Sequence, residues 1–466
     1  MKLTLHKLGR IEHAEMEIRP LTVLVGANNT NKTWAAYALY GLLKFLTWRK
    51  PALAGVRSMG TSLMKIQTES VRDRVFRAAE KAVNRMPKGE ADTAELDLSR
   101  HELIEAINEP VEFTLAPERI CELFKLPEEV VGKASATLAV TAEEFRERNA
   151  ELSIQLSYAQ RSLLMHWTAE EPEIKLSVQL RSSASAQDLR KRAMTLMRAF
   201  AQRFFSMNLV LAMPSERKAL ASLYKHLPER GLLEGALSQP VVDYIDFLTT
   251  TDALWRTSGK GRMAEALQFL DARILGGSLK FQAEGSEQRL MFVPRGGPAL
   301  PMHGTSSMVR ALAGLDLYLR YAAREGDTLI IDEPEMNAHP EAQIGLIELL
   351  ARLVNSGVRV VLTTHSPYIV DHLNNLMSAQ RIASSEDKAE VAKDLKLGSK
   401  ESFLSADKVA AYLFEGESEG EPVRVTPIHK DSDPADLFDW ETFSRATRYL
   451  GNLYGTEILP RIYREE

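Results

Sequence analysis

The chain has 466 residues, enough for two or three domains, and its 45% hydrophobic and 26% charged residues are typical of a soluble protein with a sizeable core. A net charge of −5 argues against a protein coated with nucleic acid, although a local basic patch stays possible. No run of about 18 apolar residues is present, and the first residues lack the apolar centre of a signal peptide. The single cysteine, Cys121, excludes an internal disulfide framework and fits a reducing compartment. We therefore expect a cytoplasmic protein without a membrane span.

Three strands are predicted at the start of the chain. Residues Leu3–Leu8 and Ala14–Ile18 alternate between apolar and polar side chains, which indicates an antiparallel pair. Leu21–Val25 is an apolar run of the kind that forms a buried strand. The next eight residues, GANNTNKT, are similar to the phosphate-loop pattern G-x-x-x-x-G-K-[ST], and an apolar helix is predicted over Trp34–Leu46. For the loop alone, the alternative is a polar turn before a helix.

The loop departs from the pattern at one position, because Asn31 stands where the second glycine is expected. Asparagine is the non-glycine residue that best tolerates left-handed backbone angles, where other residues lose roughly 1–2 kcal/mol. We therefore predict that the loop amides still cradle phosphates, with Lys32 reaching the β and γ groups and Thr33 binding Mg²⁺. The predicted nucleotide-binding residues here are Gly26, Ala27, Asn28, Asn29, Thr30, Asn31, Lys32, Thr33 and Trp34.

The patterns between residues 50 and 300 are weaker and predict an insertion of strands and helices. We expect one antiparallel sheet laid against the nucleotide-binding core and a polar linker that precedes it. The predicted elements are a helix at Ser70–Met86, the linker at Pro87–Leu98, strands at Val111–Leu115, Leu152–Tyr158 and Ile174–Leu180, a helix at Gln187–Phe205, and strands at Asn208–Met213, Ser278–Gln282 and Arg289–Val293.

Two adjacent serines, Ser306 and Ser307, open an apolar helix that runs to Tyr321. Hydroxyls and free amides at a helix start can bind an anion. Plain helix capping is the alternative for these serines considered alone. Their position about one helix before a pair of carboxylates favours the anion-binding interpretation.

The two carboxylates, Asp332 and Glu333, follow a buried strand predicted at Leu329–Ile331. Adjacent carboxylates at a strand end are costly unless a cation or a proton donor faces them. Magnesium and a water molecule would do so, the first carboxylate holding the metal shell and the second accepting a proton from the water. The next predicted strand, Arg359–Thr363, ends just before His365, which can donate to a developing phosphate charge. Two core strands with polar ends are the alternative.

Five segments of the chain, in their order along the sequence, resemble those of the stand-alone ABC-type ATPases of the AAA family, relatives of the OLD-family ATPase domain. More distantly, they are similar to the ATPase heads of the cohesin and DNA-break-repair families. Prolines and glycines interrupt any long heptad pattern, so a long coiled-coil arm is not expected. The matching segments cover perhaps half the chain and are GANNTNKT, PSERKAL, GTSSMVRAL, LIIDEPEMNAHP and TTHSPYIVDHLNNL.

The resemblance implies a P-loop NTPase with an α/β ABC-ATPase-type core, a mixed sheet flanked by helices, and a large, mostly helical insertion. It also implies a role for each motif, and a head-to-tail dimer in which Ser306 and Ser307 face the partner's nucleotide. By this resemblance the Walker A loop is Gly26–Thr33, the signature Thr305–Met308, Walker B Asp332 with the catalytic Glu333, the D-loop Asn337–Pro340 and the switch histidine His365.

This chain departs from the family at three positions. The family has glycine at Asn31, glycine at Met308 and leucine at Ala338, and no glutamine of the insertion can be assigned to the Q-loop. Catalysis is expected from Glu333, His365 and Lys32, and metal binding from Thr33 and Asp332. The expected domains are 1–50 and 301–385 for the two parts of the core, 51–300 for the insertion and 386–466 for a C-terminal hairpin and helix.

Many relatives continue into a Toprim nuclease, but the tail of this chain does not fit one. The acidic segments around Glu415 and Asp431 are too close for the βα unit that would separate them, and a strand pattern at 421–425 stands where a helix is needed. We therefore predict a β-hairpin followed by a helix at Asp439–Leu453. Any nuclease would be another chain.

The expected function is an Mg²⁺-dependent ATPase that acts as a nucleotide-dependent switch or sensor. By resemblance, it controls a separate effector, a nuclease or toxin, in anti-phage defence. One alternative is an ATP-loaded scaffold that hydrolyses poorly and holds a partner protein. Another is a DNA-repair ATPase that acts directly on DNA, which the acidic balance does not favour.

Overall fold

The structure is a computed structural model, and its described residues are 1–45, 91–99, 111–140, 151–158, 161–168, 173–184, 209–224, 235–254, 263–284, 287–395, 400–416 and 421–428, with residues 227, 233 and 456. The predicted helices at 70–86, 187–205 and 439–453 lie outside these residues. Elements are numbered over the described part of the chain.

The strands are β1 Lys2–Leu8, β2 Ile11–Glu17, β3 Leu21–Gly26, β4 Ala91–Ser99, β5 Val111–Leu115, β6 Ser135–Val140, β7 Glu151–Tyr158, β8 Arg161–Thr168, β9 Glu173–Ala184, β10 Val210–Met213, β11 Gly277–Glu284, β12 Glu287–Pro294, β13 Leu300–Pro301, β14 Thr328–Asp332, β15 Arg359–Thr364, β16 Val409–Glu415 and β17 Arg424–Pro427. The α-helices are α1 Lys32–Phe45, α2 Pro117–Phe124, α3 Glu128–Val131, α4 Arg217–Leu223, α5 Gln239–Leu254, α6 Ala264–Phe269, α7 Ser307–Leu317, α8 Pro340–Asn355, α9 Pro367–Gln380 and α10 Ser385–Asp394. Short π-helical turns extend α6 over Leu270–Leu275 and α7 over Tyr318–Ala322.

A six-stranded sheet carries the site, with the order β10-β14-β15-β3-β16-β17. The first five strands are parallel and β17 is antiparallel, so the sheet is mixed. All residues of β3 and β14 are buried, which explains why both segments read as continuous apolar runs rather than as alternating patterns. The predicted strands at 21–25, 329–331, 359–363 and 208–213 are confirmed with small shifts of their ends.

Each face of this sheet has its own hydrophobic core. Because side chains alternate along a strand, neighbouring residues of β3 enter different cores. Leu24 packs on one face with α1 and the β1–β2 hairpin. Val23 and Val25 pack on the other face with α5, α7, α8 and α9. The phosphate-loop helix and the serine-started helix therefore lie on opposite faces of the sheet.

The remaining described strands form three antiparallel sheets, of which two differ from the predicted arrangement. The sheets have the orders β2-β1-β6-β5, β11-β12-β13 and β4-β9-β8-β7. The single sheet predicted for 111–115, 152–158 and 174–180 is wrong, because β5 pairs with β6 and joins the N-terminal hairpin, whereas β7 and β9 both flank β8. Alternation predicts a strand but does not select its partner. The linker predicted at 87–98 is also wrong over β4.

The α/β class and the mixed sheet flanked by helices are confirmed. The described part of 51–300 contains the strands β4 to β12 beside the helices α2 to α6, so this described part is not mostly helical, contrary to what the resemblance implies. Residues of this region also form β10, an edge strand of the central sheet. No helix of the described residues is both long enough and apolar enough to cross a bilayer.

Candidate functional site

Three of the predicted motifs lie at the carboxyl ends of adjacent parallel strands. Asp332, the last residue of β14, pairs in register with Thr363 of β15, and Thr364 pairs with Val25 of β3. The phosphate loop begins at Gly26, one residue after that pair. In open α/β sheets ligands bind outside the carboxyl ends of the strands. The arrangement of the sheet therefore brings the loop, the carboxylates and the histidine together at the carboxyl ends of the parallel strands.

The loop has the backbone that its sequence predicts. Asn31 has φ 63°, in the left-handed region, so the physical reason given for this asparagine is confirmed. Its side chain also accepts a hydrogen bond of 3.0 Å from the Arg10 backbone amide in the β1–β2 turn. Gly26 has φ 148°, and a Cβ there would lie 2.2 Å from the Phe414 carbonyl oxygen of β16. The first glycine is thus required by the close approach of a neighbouring strand.

The Lys32 ammonium group lies within the loop and binds the loop's own oxygens. Its Nζ donates to the carbonyls of Gly26 at 3.1 Å and Ala27 at 2.7 Å, and to the Thr30 hydroxyl at 3.3 Å. Burial lowers the pKa of Lys32 to about 8, against the opposing effect of Glu333 and Asp332. The position suits a phosphate, because a phosphate oxygen would supply the negative charge that neutral carbonyls lack.

The other predicted loop residues divide between exposed and packed. Ala27, Asn28 and Asn29 are exposed, as expected for a loop that meets a ligand. Trp34 is half-buried and packs against Phe124 of α2, with ring centroids 5.1 Å apart. The indole therefore contributes to the packing between α1 and α2, whatever contact it makes with a nucleotide.

Thr33 and Asp332 meet directly, as the predicted metal site requires. The Thr33 hydroxyl donates to the two Asp332 carboxylate oxygens at 3.0 and 3.2 Å, and Thr363 donates to the same carboxylate at 2.5 Å. Asp332 is buried, and burial raises its pKa in spite of these hydrogen bonds. A hydroxyl and a buried carboxylate are hard oxygen donors that suit Mg²⁺, which commonly takes few protein ligands and completes its shell with phosphates and water. The residues present therefore fit this ion.

Glu333 and His365 form the second pair at the site. The His365 Nε2 lies 3.4 Å from a carboxylate oxygen of Glu333, and both side chains are partly exposed. The hydrogen bond from His365 lowers the pKa of Glu333, so this carboxyl is ionised and able to accept a proton. Glu333 has φ 48°, a left-handed backbone that costs a non-glycine residue roughly 1–2 kcal/mol. Such strain persists where surrounding contacts hold it.

Sequence reasoning missed Glu335, which holds the histidine segment. One of its carboxylate oxygens accepts hydrogen bonds of 2.7 Å from the Thr364 hydroxyl and from the His365 backbone amide. Burial raises the pKa of Glu335, against the effect of those bonds. The signal in the sequence was a third carboxylate two residues after Glu333, together with the threonine pair before His365.

Sequence reasoning also missed Arg217, although it lies in the segment PSERKAL. Its side chain is 1% exposed and donates four hydrogen bonds to backbone carbonyls. Burial lowers its pKa. The segment Pro214–Arg217 follows β10, which pairs with β14, and so it lies next to the end of β14.

The two serines cap their own helix. Ser306 is the N-cap of α7, and its hydroxyl accepts a hydrogen bond of 3.2 Å from the Val309 amide. Ser307 accepts one of 3.4 Å from Arg310. Ser306 is exposed, so the first turn of α7 is open to a ligand from outside. The capping interpretation is thus confirmed for Ser306, and it leaves the anion-binding interpretation open.

Comparison with known families finds one match. Residues 253–370 match the model of the AAA ATPase domain (AAA_15), about a quarter of the chain. The matched segment includes Ser306, Ser307, Asp332, Glu333 and His365, and the phosphate loop lies outside it. Among proteins with curated descriptions, none matches the chain.

Solved structures with a similar arrangement are heads of Smc proteins. The Smc head bound to the C-winged helix domain of ScpA is 12% identical, with a TM-score of 0.36 over 92% of this chain and 97% of that one. The SMC head domain from Thermotoga maritima is 9% identical, with a TM-score of 0.31 over 92% and 98%. The Smc head domain from Pyrococcus furiosus, with an extended coiled coil and the C-terminal domain of ScpA, is 10% identical, with a TM-score of 0.35 over 97% and 98%. Scores this low support no conclusion about ligands or partners.

The family match covers one part of the site, and the phosphate loop, outside the matched segment, supplies the other part. Residues 253–370 are similar to an AAA ATPase domain, and residues 26–33 supply a phosphate loop next to that segment's carboxylates. The site therefore combines a phosphate loop with a segment that is similar to an AAA ATPase domain.

Proposed function

We propose that the protein hydrolyses ATP at the carboxyl end of the central sheet, where the phosphate loop, Asp332 and Glu333 lie together. The observation that carries the proposal is the contact between segments far apart in sequence, because Thr33 binds Asp332 and His365 binds Glu333. Lys32 adds a cation to the same site. A phosphate-binding loop, a magnesium site and a carboxylate base are the parts that phosphoryl transfer to water requires.

Each side chain has a distinct role in this proposal. Lys32 leaves the loop carbonyls and binds the β and γ phosphates, while Thr33 and Asp332 hold Mg²⁺. The ion, when bound, neutralises charge on the phosphates. Glu333, ionised at neutral pH, orients the attacking water and accepts its proton. His365, whose Nε2 contacts Glu333 in this structure, would direct its ring N–H to the γ phosphate instead as charge develops there.

We further propose that the complete site needs a second copy of the chain. The hydrogen bonds of Ser306 and Ser307 are within α7, and the exposed start of this helix is free to meet a phosphate from another subunit. In a head-to-tail pair, these serines would approach the partner's nucleotide. The minimal unit is therefore a homodimer, in which two ATP molecules are bound between the subunits.

At the biological level, we propose a cytoplasmic nucleotide-dependent switch that controls a separate effector in anti-phage defence. This proposal is supported by the resemblance of the motifs to stand-alone ABC-type ATPases. The single cysteine is consistent with a reducing compartment.

The experiment that tests hydrolysis replaces the base. We expect Glu333→Gln to bind ATP as the parent does, because Thr33, Asp332 and Lys32 are untouched, and to lose phosphate release by about 100-fold or more. Calorimetry measures binding, and a phosphate-release assay measures turnover. Glu341→Gln, the same chemical change at an exposed glutamate of α8, is the matched control. Turnover of Glu333→Gln within about threefold of the parent would remove the assigned base and favour a scaffold that hydrolyses poorly.

A further inference from the structure

Arg217 is a buried cation in the middle of the site whose hydrogen bonds all go to the main chain. Its Nη1 donates to the Asp332 carbonyl at 2.5 Å and its Nη2 to the Glu333 carbonyl at 2.6 Å. The same side chain donates to the Pro214 carbonyl at 3.1 Å and, through Nε, to the Ala311 carbonyl at 3.1 Å. A guanidinium presents its donors in a fixed planar fork, so these carbonyls are held in one geometry.

The two shortest bonds flank Glu333, a residue of the site with a left-handed backbone. Glu333 has a left-handed backbone, and its amide donates to the Thr363 carbonyl at 3.2 Å and the Thr363 hydroxyl at 3.1 Å. Arg217 binds the Asp332 carbonyl, which precedes the Glu333 amide, and the carbonyl of Glu333 itself. Both peptide groups of this residue are therefore fixed from outside, one by β15 and both by α4. Strain of this kind persists where the surroundings over-determine it.

The fourth bond connects this catalytic turn to the helix that starts with the two serines. Ala311 lies in the second turn of α7, close to Ser306 and Ser307. Because Arg217 binds the Ala311 and Asp332 carbonyls at once, its side chain links α7 to the turn that carries Glu333. Methionine at this position would fill similar space without any donor, so packing alone does not explain the arginine.

We propose that Arg217 is a positioning residue for hydrolysis, which fixes the Asp332–Glu333 turn and couples it to α7. The proposal rests on the proposed ATPase function and assigns to Arg217 no contact with the nucleotide. It predicts a specific defect. The turn should lose its catalytic geometry while the phosphate loop keeps its affinity, so kcat falls and ATP binding does not.

The test compares Arg217→Met and Arg217→Lys with the parent for ATP dissociation constant, kcat and Tm. We expect Arg217→Met to lose about 30-fold or more in kcat with ATP binding changed by less than about threefold. Arg217→Lys keeps a donor and the charge, so its kcat should lie between the two. Should Arg217→Met fail to fold, Arg217→Lys carries the same comparison.

Arg352→Met is the control for destabilisation alone. Arg352 is a mostly buried arginine of α8 that donates to Ser402 and Glu401 and stacks on Phe269, and none of these three residues belongs to the site. Its loss should lower Tm and leave kcat unchanged. An Arg217→Met protein with a lowered Tm but the parent's kcat would overturn the proposal.

A double variant shows whether Arg217 acts through Glu333. In single-turnover measurements, Arg217→Met should reduce the residual rate of Glu333→Gln by less than about twofold, since a group that acts through Glu333 has little left to position. Multiplied defects would contradict the proposal. The two proposals fail separately: a fully active Glu333→Gln would remove the hydrolysis mechanism, whereas an inactive Glu333→Gln beside a fully active Arg217→Met would remove only the role of Arg217.

Discussion

At the scale of single residues, Asn31 shows what a sequence can and cannot predict. The left-handed backbone at this position follows from the loop pattern, and φ 63° confirms it. The contact of the Asn31 side chain with the β1–β2 turn could not be predicted, because it depends on where that turn lies. The backbone amide of Arg10 in this turn donates to the Asn31 side chain, and a Cβ on Gly9 would lie 2.5 Å from the side-chain amide nitrogen of Asn31.

Two substitutions at Asn31 separate the backbone from the side chain. We expect Asn31→Gly to bind ATP as tightly as the parent or more tightly, because glycine adopts the left-handed angle freely and allows closer approach to the phosphates. Asn31→Ala keeps the angle at a cost of about 1 kcal/mol and should weaken binding by roughly fivefold. Calorimetric titration measures both variants. If Asn31→Gly weakens binding tenfold or more, the side chain itself is needed, and the hydrogen bond from Arg10 becomes the reason for asparagine.

The other residues at the site also divide into those that the sequence predicts and those that it does not. The roles proposed for Lys32, Asp332 and Glu333 come from local motifs, and the structure brings these residues together. Glu335 and Arg217 act on main-chain atoms of other segments, so their positions follow from tertiary structure alone. Local patterns report local chemistry, whereas buried polar networks depend on which strands become neighbours.

At the scale of elements, strands were easier to predict than sheets. The apolar runs of β3 and β14 follow from burial on both faces, and the alternation in β1 and β2 follows from burial on one. The partners of β5, β7 and β9 could not be predicted, because pairing depends on segments far away in the chain. The strands β4, β6 and β8 were missed for the same reason, since their place is set by the strands beside them.

Helix packing around the site gives a prediction at this scale. Gly314 of α7 faces Tyr244 of α5, and a Cβ there would lie 2.1 Å from the Tyr244 hydroxyl. We expect Gly314→Ala to cost about 1–3 kcal/mol in the free energy of unfolding, because neither helix can move without disturbing a filled core. Thermal unfolding measures the effect as a lowered Tm.

A second variant checks that the close approach is the cause. Tyr244→Leu shortens the side chain that Gly314 meets, so Gly314→Ala should cost less in that background than in the parent. Equal costs in the two backgrounds would contradict the packing explanation. The result matters for function because α7 carries Ser306 at its start and Ala311 at the Arg217 contact.

At the scale of the whole molecule, the central sheet collects segments from the beginning, middle and end of the chain. β10 from the predicted insertion borders β14, and β16 from the predicted C-terminal hairpin borders β3. The antiparallel pair of β16 and β17 confirms the hairpin. Its parallel pairing with the phosphate-loop strand was not foreseen, since nothing local in residues 409–415 selects β3 as the neighbour.

In the proposed dimer, the phosphate loop of one subunit and the serine-started helix of the other complete one ATP site. Two inactive variants test it. Lys32→Ala damages the loop of its own chain, and Ser307→Arg blocks the start of α7 that would serve the partner. Ser306 is left intact because it caps α7, and its loss would cost about 1 kcal/mol for reasons unrelated to ATP.

The measurement is the ATPase activity of the two variants after mixing, with subunit exchange verified by mass measurement. In a mixed dimer one site carries both lesions and the other carries neither, so we expect up to about half of the parent activity per mixed dimer. If each chain forms a self-contained site, every site keeps one lesion and mixing restores nothing. A mixture with verified exchange that stays as inactive as either variant alone would contradict the shared site.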